Sequence, residues 1–259
     1  MSVLALKLVL APILIGAASL VTRRWGPSIG GWLVALPLTS GPVLFLIALE
    51  HGPAFAADAA VGSLAGLAAI AGFSLAYAAT ARLGPGVAFA AGMAAFAAVG
   101  VASMPVLVAP PFVVLALVLA VVVVALWSLP EGRAGVASVR HPRWDIPARM
   151  VVAGVLVLGL TTVAPLLGPH PSGLIATFPV YVSVMVTFTQ RREGVTSAID
   201  LLRGLLVGLF GTSAFYLAVR FGLEPLGVLP AFALAALAAL AIQAAAFGAV
   251  RPAATEDPA

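Results

Sequence analysis

The sequence predicts an all-α, polytopic membrane protein of about nine transmembrane helices in a 4+1+4 inverted-repeat arrangement. Hydrophobic residues make up 63% of the 259-residue chain and charged residues 8%. Apolar runs of about twenty residues, the length that crosses a bilayer, follow one another along the chain. In addition, residues 1–67 recur in recognisable form 142 positions later. Together these observations predict a membrane-embedded helical bundle built from a duplicated unit.

Nine apolar runs are long enough to be transmembrane spans. The predicted spans are roughly 3–21, 29–49, 55–80, 84–103, 105–129, 149–167, 172–189, 197–220 and 225–249. The stretch 130–148 is the one sizeable loop between them. The first run has no cationic region before it and no small-residue cleavage site after it, so we expect a span rather than a signal peptide.

The arginines divide unequally between the two predicted faces of the membrane. Beyond Lys7 and Arg220, one face carries few cationic residues. The other carries Arg23, Arg24, Arg82, Arg133, Arg140, Arg143, Arg191, Arg192 and Arg251. Because cytoplasmic loops are enriched in Lys and Arg, this face is predicted to be cytoplasmic in a bacterial inner membrane, with the N-terminus outside and the C-terminus inside. The net charge of +4 then orients the chain in the bilayer, and we expect no nucleic-acid partner.

The duplication is visible in a gap-free alignment of residues 1–67 with the segment that begins at residue 143. It contains fifteen identities, where a composition rich in Ala, Leu, Val and Gly would give about seven. Two of the chain's four aspartates, Asp58 and Asp200, pair in it. We therefore expect a four-helix repeat at 1–104, a linking helix with a cytoplasmic loop at 105–148, and a second repeat with a short polar tail at 149–259. Since one extra span turns the second copy over, the copies are predicted to be inverted, a pattern typical of secondary transporters.

Two prolines lie within predicted spans at equivalent positions of the two copies, and hydroxyl residues follow each of them. A proline removes a backbone hydrogen bond from a helix, and the freed groups need partners inside a membrane. We expect these prolines and hydroxyls to line a substrate site near the midplane: Pro37, Thr39, Ser40, Pro179, Tyr181 and Ser183. A simple proline kink repaired by neighbouring hydroxyl groups is the alternative that the sequence leaves open.

Charged residues at the ends of spans are candidates for gates. Topology places Lys7 near Asp58 at the outer face and Arg149 near Asp200 at the inner face, which predicts two ion pairs, one for each gate. Arg203, three residues after Asp200, competes as its partner. Two further interpretations stay open. The pairs would merely satisfy buried charges, or one aspartate would carry a coupling proton.

Each repeat also resembles a known family. The motifs are a basic residue in the first helix, a Gly-rich entry into a second helix with "ALPLTS" or "ATFPVY", and a turn before the third helix in "EHGPAFAADAAVG" or "REGVTSAIDLLRG". This pattern resembles the GlpM-like family of small four-helix bacterial inner-membrane proteins, and it covers each half but not the fifth span. The resemblance implies a four-helix ancestor that paired as an antiparallel dimer before fusion, and it implies no particular substrate.

The predicted function is that of a secondary transporter or flippase. With few charges inside the spans, we expect a small neutral, singly charged or amphipathic solute, moved by alternating access. The alternative is a non-transporting scaffold or accessory subunit of an envelope-polymer or other membrane system. The chain has no cysteine and no visible nucleophile–base set, so we expect no enzyme, no metal and no cofactor. The expected partners are the lipid bilayer and an unknown solute, and a homo-oligomer or a membrane partner subunit stays open.

Overall fold

The computed structural model describes residues 3–38, 40–130, 142, 144–163, 179–246 and 248, with side chains described for all of these except 3–11 and 157–163. Every regular element of this part of the chain is a helix. The α-helices are α1 Val3–Trp25, α2 Pro27–Val34, α3 Ser40–His51, α4 Pro53–Thr80, α5 Pro85–Ser103, α6 Pro111–Ser128, α7 Asp145–Val163, α8 Val180–Glu193, α9 Val195–Leu226 and α10 Val228–Ala246. Short 3₁₀ turns at Ala81–Leu83 and Met104–Val108 follow α4 and α5.

Five helices of the described residues are long and apolar enough to cross a bilayer. They are α4 and α5, each with its 3₁₀ turn, and α6, α9 and α10. In α4 and α9, 61% and 67% of the most apolar window is buried, against 22% in α5, α6 and α10. The long helices α4 and α9 therefore form the centre of the bundle, and the other three expose apolar faces where a bilayer would contact them. The protein is embedded in a membrane.

The remaining helices pack around this centre. Helix α4 contacts α3, α5 and α6, while α9 contacts α2, α6, α8 and α10. Helix α1 packs along α7 and also contacts α2 and α8. Helices α3 and α8, of 12 and 14 residues, are too short to cross about 30 Å of hydrocarbon alone. At 1.5 Å per residue they rise about 18 and 21 Å, so each makes up only part of a crossing.

Single glycines make the tight turns between consecutive helices. Gly52 joins α3 to α4 with φ 91°, and Gly194 joins α8 to α9 with φ 94°. This left-handed backbone costs any residue with a Cβ roughly 1–2 kcal/mol. The tight turn in each helix pair thus depends on a glycine, and these two glycines lie 142 residues apart, at aligned positions of the sequence.

Helices α2 and α9 cross with their backbones almost in contact. A Cβ on Gly31 would collide with the Leu201 carbonyl, and one on Gly204 would collide with the Ser28 carbonyl. Gly208 is similarly packed against Ala35. This crossing fixes the end of α2, and with it the start of the candidate site, against the central helix.

Candidate functional site

The apolar run that contains Pro37 is interrupted as a helix. Helix α2 ends at Val34, the chain turns through Ala35 to Leu38, and α3 begins at Ser40. In the turn the Leu38 N–H donates to the Leu36 carbonyl at 2.7 Å, and the Gly41 N–H donates to the Pro37 carbonyl at 2.8 Å. Thr39 lies outside the described residues.

The Ala35 carbonyl at this interruption is satisfied from a neighbouring helix. The Thr212 hydroxyl of α9, which is buried, donates to it. The sequence predicts this role for hydroxyls close to Pro37 in the chain, such as Ser40. Because inward-facing residues of α9 lie against α2, a residue 177 positions away supplies the donor instead.

An apolar groove, here called the Pro37 groove, opens beside the interruption. Its volume is about 460 Å³, within the range of small-molecule sites. One wall is formed by Pro37, Gly41 and Phe45 with their neighbours Leu36, Leu38 and Pro42, and the other by Phe215 of α9 and by Phe232, Ala236, Ala239 and Leu240 of α10. Phe232 meets Phe45 and Phe215 edge-on at 5.2 and 6.1 Å between ring centroids. All of its lining residues are apolar.

Three hydroxyl residues, here called the hydroxyl trio, join the same helices next to the groove. The buried Tyr216 side chain of α9 lies beside the side chains of Ser40 of α3 and Ser63 of α4. Ser40 is adjacent in sequence to Gly41 of the groove, and Tyr216 is adjacent to Phe215. The sequence predicts a role for Ser40 but not for Tyr216 or Ser63. One feature of the sequence does single out Tyr216: it is one of only three tyrosines in the chain and it lies within a long apolar helix.

The second predicted proline, Pro179, lies buried directly before α8. Its carbonyl accepts the Ser183 N–H at 2.9 Å, and the buried Ser183 hydroxyl donates to the Val180 carbonyl at 3.0 Å. Tyr181 is half-buried against the hydrophobic core. Residues 164–178, which lead into this proline, lie outside the described part of the chain. The described part of the site is thus a short buried helix beginning at Pro179.

One face of α8 carries polar side chains towards α4. Ser183, Thr187 and Gln190 share this face at positions i, i+4 and i+7. Thr187 lies beside the buried Tyr77 hydroxyl of α4, and Gln190 donates to the Ala81 carbonyl at 2.8 Å. This polar face leads from Pro179 to the end of α4.

A different face of α8 contributes to a buried group of charges, here called the Asp145 cluster. Oδ2 of the fully buried Asp145 accepts hydrogen bonds from Nη2 of Arg23 at 2.9 Å and from Nε of Arg149 at 3.0 Å. Nε of Arg192 lies 3.6 Å from Oδ1 of the same carboxylate. Glu193 adds a second negative charge near Arg149. The cluster ties α1, α7 and α8 together at one end of the bundle.

Apolar and aromatic groups surround the Asp145 cluster. Arg149, 2% exposed, lies over the Phe188 ring at 5.4 Å, and its Nη1 is 3.6 Å from the Met185 sulfur. Arg192 stacks on Trp144 at 4.5 Å. Ion pairs in such surroundings are little screened by water or salt, so the cluster holds its three helices tightly.

The predicted gate pairs have other partners in the structure. Arg149 forms an ion pair with Asp145, four residues earlier on α7, and not with the predicted partner Asp200. Arg203 donates to three carbonyls at the end of α6, the shortest 2.7 Å to Leu129. Asp145 is predicted to lie in the loop 130–148, whereas α7 begins at this residue and places its carboxylate beside Arg149. Helical spacing therefore decides the pairing.

The two aligned aspartates have different surroundings. The Asp200 side chain is buried on α9. The Asp58 side chain is 82% exposed, and the Arg220 guanidinium lies 4.0 Å from it. Gly62, one turn after Asp58, has open space where a Cβ would lie. Gly204, one turn after Asp200, packs directly against α2. Lys7 lies in the first turns of α1, and its side chain is outside the described set.

No protein-family model, curated protein or solved structure matches the chain. The resemblance to the GlpM-like family therefore stays a prediction. Among the described residues, no group of three His, Cys, Asp or Glu side chains could hold a metal ion. The features of the structure that indicate a function are the groove, the hydroxyl trio and the Asp145 cluster.

Proposed function

We propose that the protein is a secondary transporter or flippase that moves a small solute across the bacterial inner membrane by alternating access. The solute is neutral, singly charged or amphipathic. In this proposal the chain has nine spans in a 4+1+4 arrangement, with the N-terminus outside and the arginine-rich side in the cytoplasm. The two four-helix units are inverted copies related by a twofold axis in the membrane plane.

The helix bounds support the duplicated arrangement. Helix α3 ends one residue before Gly52, as α8 ends one residue before Gly194, 142 positions later. Helices α5 and α10 both have 19 residues and begin 143 positions apart.

The helix packing supports it as well. Helix α5 packs on α4 as α10 packs on α9, and α5 contacts α8 as α10 contacts α3. The pairs α1–α7 and α4–α9 then lie on the axis itself. A twofold relation between the halves accounts for all of these pairings.

The observation that carries the transport proposal is the contrast between the two ends of the bundle. At one end, the Asp145 cluster closes α1, α7 and α8 against each other. Helix α4 ends there too, since Gln190 of α8 reaches Ala81, so α3 and the start of α4 lie towards the opposite end. The Pro37 groove is lined by the first half of α3, so it lies away from the closed end. A site on the far side of a closed end is what alternating access requires of one of its two states.

The Asp145 cluster is the gate of the cytoplasmic side in this proposal. To open that side, α1 must separate from α7 and α8, which breaks the contact of Arg23 with Asp145. Arg149 keeps its partner during this movement because both residues are on α7. The buried carboxylate is therefore never left without a cation, and the cost of opening falls on the partly exposed Arg23.

The scaffold alternative is favoured by one observation. The Ser183 and Thr212 hydroxyls donate to backbone carbonyls, so these two polar groups are satisfied without a solute. A bundle that serves only as a packing platform would show the same bonds. The accessibility of Ser40 and Ser183 separates the two functions.

Because the chain has no cysteine, single cysteines can be introduced and labelled with a membrane-impermeant thiol reagent from either side. We expect Ser40→Cys and Ser183→Cys each to label from both sides, because alternating access exposes both positions in turn. The matched control is Ser74→Cys on α4, which is buried and whose hydroxyl bonds within its own helix. That cysteine should label from neither side. If Ser40→Cys and Ser183→Cys behave like the control, the transport proposal is wrong and the scaffold function replaces it.

A further inference from the structure

The Pro37 groove lacks the hydrogen-bonding groups that a polar solute would need. Each of its lining residues is apolar, and the neighbouring hydroxyl residues Ser40 and Tyr216 are not among them. Burying a hydroxyl or amide without a hydrogen-bond partner is strongly unfavourable. The groove is therefore selective for an apolar group and rejects a polar one.

The groove is also specific to one half of the molecule. At an offset of 142 residues, Gly41 and Phe45 of α3 correspond to Ser183 and Thr187 of α8. The first two line the apolar groove, whereas the last two lie on the polar face of α8 that meets Tyr77. The two halves thus offer surfaces of opposite polarity at equivalent positions. A molecule with one apolar and one polar part fits such a pair of surfaces.

The rim of the groove is continuous with the surface that faces lipid. Leu38 is 41% exposed on one side of the opening and Leu240 is 54% exposed on the other. Helix α10 also exposes Leu234 and Leu237 outside the groove. A hydrocarbon chain can therefore enter from the bilayer without crossing a polar surface.

We propose that the Pro37 groove binds a hydrocarbon chain of a membrane lipid, so that the transported solute is a lipid-like amphiphile. Transport of the lipid rests on the proposed function, whereas binding of its hydrocarbon chain does not depend on that function. Phe45, Phe215 and Phe232 contact the hydrocarbon, and Gly41 allows the Phe215 ring to approach α3 closely. The head group stays with the polar face of α8 or with water.

The test uses the full chain in phosphatidylcholine nanodiscs. A small fraction of the lipid carries a diazirine near the end of one acyl chain, and the cross-linked residues are mapped by peptide mass spectrometry. We expect cross-links to concentrate at Phe45, Phe215 and Phe232, above the level at the lipid-exposed Leu234 and Leu237. Ala236→Phe, which fills the opening of the groove, should lower groove labelling by about tenfold. The matched control is Ala233→Phe, an exposed alanine of α10 outside the groove, which should leave labelling unchanged.

Two results would overturn the proposal. One is labelling spread evenly over the groove and the lipid-exposed leucines, with no effect of Ala236→Phe. The other is an unlabelled groove together with cross-links between two copies through α10, which would make this face a contact between protomers. Groove labelling with Ser40→Cys and Ser183→Cys inaccessible from both sides keeps the lipid site but removes transport. Accessible cysteines without groove labelling keep transport but exclude the lipid substrate.

Discussion

At the scale of single residues, Asp145 has the largest electrostatic role among the described side chains. It is fully buried and is the carboxylate nearest to Arg23, Arg149 and Arg192 at once. The ion-pair energy itself is largely offset by the cost of removing these charges from water, but the loss of one member leaves the others uncompensated. Residues near such a centre are consequently sensitive to substitutions that an exposed pair tolerates.

Asp145→Asn should lower the free energy of unfolding by about 3–5 kcal/mol, because buried Arg149 then loses its ion-pair partner. Thermal denaturation of the detergent-solubilised protein, followed by circular dichroism, measures the loss. Asp58→Asn is the matched control, since its carboxylate is 82% exposed and 4.0 Å from Arg220. The control should melt like the unsubstituted protein. Equal melting of all three proteins would show that the Asp145 cluster does not hold the bundle together.

At the scale of helices, the crossing of α2 and α9 shows how aligned glycines acquire different roles. Gly204 and Gly62 correspond at an offset of 142 residues, and both follow an aligned aspartate by one turn. A Cβ at Gly204 would collide with the backbone of Ser28, whereas a Cβ at Gly62 would project into open space. The same small-residue pattern therefore permits a close backbone contact in one copy and is unused for contact in the described part of the other.

Gly204→Ala should destabilise the protein by several kcal/mol, since the backbones of α2 and α9 must move apart to admit a methyl group. Gly62→Ala should be neutral or stabilising by up to about 1 kcal/mol, because alanine favours a helix over glycine. The midpoints of thermal unfolding of the two variants give the comparison. A larger loss for Gly62→Ala than for Gly204→Ala contradicts the packing described for this crossing.

At the scale of the whole molecule, the bundle is closed at the Asp145 cluster and open at the Pro37 groove. In the proposed transport cycle, opening the cytoplasmic side separates α1 from α7 and α8. The equilibrium between the two states then depends on contacts that bridge these helices, and a ligand or substitution shifts it only by affecting such contacts.

Arg23→Gln should raise labelling of Ser183→Cys from the cytoplasmic side several-fold, because it removes the ion pair between α1 and Asp145. The neighbouring Arg24 is exposed and stacks on Trp25, so Arg24→Gln is the matched control with the same loss of charge. The ratio of the labelling rates of the two variants measures how far the Arg23–Asp145 ion pair keeps the cytoplasmic side closed. A ratio of one would leave the Asp145 cluster with a purely structural role.

The sequence by itself determined the class of the protein, the close helix turns and the interruption at Pro37. These features depend on composition and on local backbone chemistry, since an apolar run, a glycine with positive φ and a mid-span proline act without distant partners. The tertiary structure alone decided that Thr212 donates to the Ala35 carbonyl at the interruption, that Tyr216 lies beside Ser40, and that Arg149 pairs with Asp145. It also decided that Asp58 is exposed while Asp200 is buried. The physical reason is that the aligned residues of the two copies face different neighbours, and side-chain pairing follows the distances between helices, which the order of residues along one chain does not contain.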